Sequence, residues 1–195
     1  MRSFLPVLII VVILLFQANS FGQKIESSAF GAPVFKFTTL KGQTALLIGG
    51  RGGWMINKSI VLGGGIYGLI NKVKSGNIDP QTGQNVSMGF NYGGLEFEYI
   101  FLSEASIHAS LDMLFAGGGV TFVASNENTS HLNYYSQDLL VWEPEANIEF
   151  KIVNWLHLAA GISYRIISSY DGYYGISKGD LSGYNGVLTF KFGTY

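Results

Sequence analysis

The sequence predicts an all-β fold: a closed antiparallel barrel of eight strands that crosses a membrane, preceded by a cleavable signal peptide. Three observations predict it. Hydrophobicity alternates with period 2 in one segment after another, the connections alternate between short and long, and the composition is poor in charge but rich in glycine and aromatics. Of 195 residues, 12 are Lys or Arg and 13 Asp or Glu, so charged residues make up 13%, beside 26 glycines and 14% aromatics. That charge share is about half that of an ordinary soluble domain. With no cysteine, disulfides, Cys-based zinc sites, iron–sulfur clusters and cysteine nucleophiles are excluded. The net charge of −1 gives no electrostatic case for a nucleic-acid partner.

The first element is the signal peptide, assigned to residues 1–22. Arg2 precedes the apolar run Phe4–Phe16, which is followed by small and polar residues up to Gln23. A membrane-spanning helix needs about 20 apolar residues. This run has 13 and contains Pro6, the pattern of a short secretory signal. Cleavage after Ser20 or after Gly22 fits the small residues there, leaving residues 23–195 as the barrel domain.

The strands follow in order. Segments around 33–40 and 59–71 are short and Gly-rich respectively. The clear ones are Leu46 to Ile56, Leu95 to Phe101, Ala109 to Phe115, Leu140 to Ile152, Leu156 to Ile166 and Val187 to Phe192. From Leu140 to Ile152 the even positions are uncharged (Trp142, Pro144, Ala146, Ile148, Phe150), whereas Glu143, Glu145, Glu149 and Lys151 are odd. Successive strand residues face opposite ways, so one face is apolar and the other charged. Pro144 cannot donate to a ladder and should mark a bulge. After the tight Lys41-Gly42 turn, short turns at Asn57-Lys58, Ser103 to Ser106 and Val153 to Trp155 alternate with long loops at 72–87, 124–137 and 169–184. All the long loops thus fall on the side opposite the barrel's N-terminus.

Which face looks outward follows from three features. Strands of about 10 residues at a steep tilt suit a bilayer, and closing eight of them leaves no edge. Trp54, Tyr99, Phe101, Phe150 and Phe192 cluster towards the short-turn side of the apolar face, with Trp142 and Tyr164 nearer the other; such girdles belong at membrane–water interfaces. The polar face mixes both charge signs with Gly, Ala and Ser, as a narrow filled lumen requires. Ten charged residues are assigned inward: Lys36, Arg51, Glu96, Glu98, Asp112, Glu143, Glu145, Glu149, Arg165 and Lys191. Hairpin registers predict Glu143 opposite Arg165, and Glu96 opposite Asp112 with Arg51 or Lys36 between them. A paired plug is favoured over an ionic gate.

These features, with the aromatic final strand Val187-Leu188-Thr189-Phe190-Lys191-Phe192, resemble the small outer-membrane barrels typified by the OmpA transmembrane domain and OmpX. The Gly49–Gly68 block is similar in character to barrels of Bacteroidota. The resemblance covers nearly all of residues 29–195. It implies a Gram-negative outer-membrane location, surrounding lipids including lipopolysaccharide, and insertion by the barrel assembly machinery, with Phe192 or Tyr195 as the terminal aromatic signal. It also implies a structural or surface-binding role for a monomer.

Gly63 to Gly68 satisfies G-x-G-x-x-G, but no helix follows, so the glycines are read as making room in the lumen. His108 and Ser110, with Glu149 nearby, are similar to the site of outer-membrane lipid A deacylases, which makes a lipid-modifying hydrolase the alternative function. A soluble exported barrel holding an apolar ligand is a further alternative. His108, His131 and His157 are scattered, so neither a metal site nor a cofactor is expected. Loops 124–137 and 169–184, rich in Tyr, Asn and Ser, are the candidates for an extracellular ligand.

Overall fold

The computed structural model describes residues 25–78, 85–124, 133–173 and 175–193. The signal-peptide assignment lies outside these residues, as do His131 and Tyr195. Among the described residues nine strands are formed: β1 (Ser27–Leu40), β2 (Gln43–Ile56), β3 (Ile60–Leu69), β4 (Val73–Ile78), β5 (Asn85–Phe101), β6 (Ile107–Ala124), β7 (Asn133–Val153), β8 (Leu156–Ser169) and β9 (Gly183–Gly193), with a one-turn helix α1 (Lys178–Leu181) before the last. Neighbouring strands pair antiparallel all the way round, and β1 closes on β9.

Nine strands make eight staves because β3 and β4 share one: both pair with β5. The interruption at Ile70–Lys72 is bridged by Asn71, whose side chain accepts from Leu46 N at 2.8 Å and donates to Thr44 O at 2.9 Å. A side-chain amide thus supplies the ladder bonds that the broken backbone cannot.

Two tight turns owe their shape to positive φ: +49° and +69° at Lys41-Gly42, +49° and +56° at Asn57-Lys58. This is the mirror-image turn that matches strand twist in a two-residue hairpin. The end bearing Ser27, Gly193 and the turns at 57–58, 102–106 and 154–155 is the near end; the other is the far end. Several strands run well past the predicted segments. With β5, β6 and β7 at 17, 18 and 21 residues, each exceeds the roughly 10 a bilayer needs, and the surplus projects at the far end. Of the predicted loops, 73–78 and 85–87 in the first and 124 and 133–137 in the second are consequently strand.

Pro144 does not form a bulge. The β7–β8 ladder resumes at Glu145↔Ser163 in the register it left at Trp142↔Ile166, and the irregularities lie instead at Leu140/Val141 and Lys151/Val153. One missing N–H interrupts a ladder without adding a residue.

Polarity is inverted relative to a soluble barrel. Ile66, Leu95, Leu111, Ile148 and Ile162 are more than half exposed around the outside, while Lys36, Arg165 and Lys191 are almost wholly buried inside. The seven aromatics assigned to the girdles are all exposed. Five of them form edge-on or stacked pairs: Tyr99 with Phe101 (4.8 Å between centroids), Trp142 with Phe115 (5.0 Å), Tyr164 with Tyr184 (4.7 Å) and Phe192 with Trp155 (6.1 Å).

The lumen is layered. At the far end a large apolar cluster includes Leu47, Val73, Phe90, Leu114, Val120, Phe122, Val141 and Ile167, closed over by Tyr170, Ile176 and Leu181 from the 170–182 segment. Phe30, Ala32, Met55, Val61 and Ile100 form a small apolar seal near the opposite mouth. Charged side chains occupy the space between.

Candidate functional site

All ten residues assigned to the lumen are buried, as four cations facing six carboxylates. Alternation puts them inside; register decides who meets whom. In the near half, Arg51 on β2 is the hub. Its Nε lies 2.9 Å from Glu96 Oε2, and its Nη2 donates to Glu98 Oε2 at 2.9 Å and to Asp112 Oδ2. Lys191 on β9 donates to Glu98 Oε1 at 2.7 Å and to Glu149 Oε1. In the far half, Lys36 on β1 donates to Glu143 Oε1 at 2.7 Å and lies 3.6 Å from Glu145 Oε2. Arg51 Nη1 approaches Glu145 Oε1 at 3.9 Å and joins the two halves. The fork geometry of Arg suits a hub with several carboxylates.

Neutral groups occupy the remaining hydrogen-bonding capacity. Glu143 also accepts from Ser163 (2.6 Å), Asn185 (3.0 Å) and Tyr92 (2.7 Å), and Glu96 accepts from Tyr67. Lys36 Nζ sits 3.8 Å from the centroid of the Tyr67 ring. An added Cβ at Gly65 would meet Glu96 Oε1 at 2.5 Å and Tyr67 Oη at 2.7 Å. Within the G-x-G-x-x-G run, Gly65 therefore leaves room for the Tyr67–Glu96 hydrogen bond.

Of the two predicted pairings, the first holds in register, since the ladder running from Trp142↔Ile166 to Glu145↔Ser163 sets Glu143 opposite Arg165, but without a direct bond between them; the second does not hold. Arg165 does not bond Glu143. It donates to Leu181 O at 2.7 Å and Asn185 Oδ1 at 2.9 Å, with its guanidinium 5.1 Å from the Phe90 ring centroid. Asn185 in turn donates to Glu143, so an amide stands between the pair. Glu96 is not opposite Asp112: the register pairs Glu98 with Asp112 and Glu96 with Leu114. The connection from Phe101 to Ile107 contains Leu102 at a φ of +51°, and this local geometry shifts the hairpin by two residues. Arg51 is nevertheless the cation between these carboxylates.

Ser110 Oγ donates to Glu149 Oε1 at 2.9 Å, and His108 Nε2 stands 3.4 Å from Glu149 Oε2. The carboxylate thus lies between serine and histidine. Nucleophilic catalysis places the imidazole against the serine with the acid behind it, and all three side chains here are buried in the lumen, away from lipid.

The far-end segment 170–182 is folded down onto the barrel. Ser177 caps α1 by accepting from Asp180 N at 3.4 Å, while Ser177 N and Oγ donate to Asp180 Oδ2 at 2.8 and 2.6 Å. Those hydrogen bonds hold the Asp180 carboxyl below its ordinary range. Lys41 ties this segment to the β1–β2 turn: its N donates to Asp180 O at 2.9 Å, and its Nζ to Gly175 O at 3.0 Å and to Ser75 O. Of the tyrosines proposed as recognition groups here, Tyr170 is buried and Tyr184 lies on the outer face of β9. At the near end the exposed pair Lys58–Glu104 (2.8 Å) raises the lysine pKa and lowers that of the glutamate through their shared hydrogen bond.

Neisserial surface protein A (NspA) is structurally similar, with a TM-score of 0.57 at 9% identity over 87% of this chain and 99% of that one. The N-terminal β-barrel domain of Pseudomonas aeruginosa OprF follows, with a TM-score of 0.54 at 11% identity, over the same 87% of this chain and 99% of its own. The fold is that of the small outer-membrane β-barrels. No family model and no curated protein matches the sequence, so the likeness lies in architecture.

One grouping escaped the sequence reading. His108, Glu149 and His157 converge near the near-end mouth, their ligand atoms all within 4.8 Å of one another. His108 and Glu149 are cross-strand partners. The inward parity of all three and their common closeness to short turns were the readable signals. Spacing along the chain hid them, because β6 and β8 are not neighbours.

Proposed function

We propose that this protein is an integral outer-membrane barrel, exported by its signal peptide, with a permanently plugged lumen and a structural or surface-binding role at its far end. The observation that carries the reading is the inverted polarity: an apolar, aromatic-fringed exterior around a buried ion network. Such an exterior is stable only in lipid, and the architecture shared with NspA, by name a surface protein, supports the location. Surrounding lipids, lipopolysaccharide among them, are the first partners, and the barrel assembly machinery is the partner during insertion. The short turns then face the periplasm and the far end the exterior, where 124–137 and 169–184 are the candidates for an extracellular ligand.

Plugging is supported on two levels. Six carboxylates and four cations fill the middle, and the apolar layer closed by Leu181 covers it. Eight staves leave room for side chains and little else. The test combines membrane fractionation, migration of unheated against boiled protein in detergent gels, and single-channel recording in planar bilayers. The reading expects a membrane-bound, heat-modifiable protein without steady conductance. A chain soluble without detergent would overturn the location, and stable ion-conducting levels would overturn the plug.

A further inference from the structure

The charge inventory of the lumen is uneven. In the far half Lys36 and Arg165 balance Glu143 and Glu145. In the near half Arg51 and Lys191 face four carboxylates, Glu96, Glu98, Asp112 and Glu149, so the fixed cations fall two charges short. The three-residue cluster of His108, Glu149 and His157 lies in this half. We propose that it is a binding site for one borderline divalent cation of the zinc type, held by the two imidazoles and the Glu149 carboxylate.

The geometry supports this atom by atom. A tetrahedral metal with bonds of about 2.0–2.1 Å sets its ligand atoms roughly 3.4 Å apart. His108 Nε2 and Glu149 Oε2 are already 3.4 Å apart. With all ligand atoms within 4.8 Å, His157 need close by little more than an ångström. Glu149 is divided between two tasks: Oε1 takes Lys191 and Ser110, and Oε2 turns to the histidine. His108 is also set from behind, with Nδ1 3.1 Å from Ala105 O. A carbonyl only accepts, so Nδ1 carries the proton, which leaves Nε2, already facing Glu149 Oε2, as the atom that would give up its proton and bind the metal. A backbone carbonyl behind the imidazole is the usual second partner of a metal-bound histidine.

Two imidazoles with one carboxylate favour zinc-type cations over calcium or magnesium, which take oxygen ligands. Three protein ligands leave a fourth position open. A cavity of about 60 Å³ includes both imidazoles and the turn residues Lys58, Ser103 and Glu104 in its walls. It provides entry from the near end and space for a water as fourth ligand. A divalent ion here also adds positive charge beside Glu149, in the part of the lumen where carboxylates outnumber Arg51 and Lys191.

The experiment uses the full-length mature protein, tag-free and folded in detergent, with folding scored by heat-modifiable migration. It is loaded with Zn²⁺, dialysed against metal-free buffer and analysed for metal content. The expected result is one zinc per barrel, retained in His131→Ala and bound at least about tenfold more weakly in His108→Gln and His157→Gln. The same protein loaded with Co²⁺ should show the visible d–d absorption of a tetrahedral site, and with Cu²⁺ the resonance couplings of two nitrogens. Folded wild-type protein that keeps no metal overturns the proposal, as does zinc binding unchanged in both histidine variants. Should those variants fail to fold, the wild-type Co²⁺ spectrum decides: an octahedral, water-like spectrum sinks the site.

Discussion

The charged middle of the lumen and the apolar cluster at its far end solve one problem, filling a narrow tube, by opposite chemistry. Around Arg51 every contact depends on register, because each carboxylate must meet a particular donor. Around Phe90 and Phe122 the contacts need shape and little else. A buried ion network tolerates loss of one partner badly, since desolvated charge is left uncompensated. An apolar cluster loses mainly area and gains a cavity. The difference teaches that the charged middle specifies the fold and the far-end cluster seals it.

The largest effect is expected for Arg51→Met, which strands Glu96, Glu98 and Asp112. It should lower stability by about 3–5 kcal/mol, read as a fall in the urea midpoint of refolding into detergent. The combined Arg51→Met, Glu98→Gln, Asp112→Asn variant should recover much of that loss. A triple variant as unstable as the single one would break the electrostatic account. Next, Phe122→Ala in the far half should cost about 3–4 kcal/mol, with no partner substitution that restores it except a large apolar one. Leu181→Ala removes the apolar lid and should cost about 2–3 kcal/mol. It should also raise proteolytic nicking within 170–182 while leaving the near half protected from amide exchange.

A smaller effect belongs to the cap of α1. Ser177→Ala should cost about 1 kcal/mol locally, seen as faster exchange at Asp180 and Leu181. The pH dependence has a definite sign. Asp180 has a lower pKa folded than unfolded, so its contribution is present above the unfolded value near 4 and is lost as pH falls through the folded one. The 170–182 segment should therefore loosen in acid before the barrel does. Ser177→Ala should move that loosening to higher pH. Smallest of all is Lys58→Ala: the Lys58–Glu104 pair is exposed, and its removal should leave the urea midpoint unchanged.

The inside and the outside of the barrel were legible because strand side chains alternate with a fixed period of 2, so one charged residue per strand sets the parity. Glu143 and Arg51 were enough to orient β7 and β2. Partnership was less legible. Hairpin register depends on turn geometry, and the left-handed Leu102 moves Glu98, not Glu96, opposite Asp112. Contacts across the lumen, such as Lys36 with Glu143 or His108 near His157, join strands that are not neighbours. They follow from closure of the ring, which no local pattern encodes. The fold of 170–182 onto the mouth was likewise hidden: its composition looks like an open loop, and only Ile176 and Leu181, two apolar residues among Gly, Ser and Tyr, hint that it turns inward.

The pairing of β1 with β9 carries a temporal consequence. Phe30 meets Gly193 and Thr38 meets Asn185, so the first stave's second neighbour is synthesised after every other stave of the ring. Until β9 arrives, β1 and β8 each offer a raw row of backbone donors and acceptors, open to pairing with any other nascent chain. Joining strands this far apart in sequence is also entropically slow. A chain built this way gains from being kept unfolded until it reaches a place where the ring can close in one event.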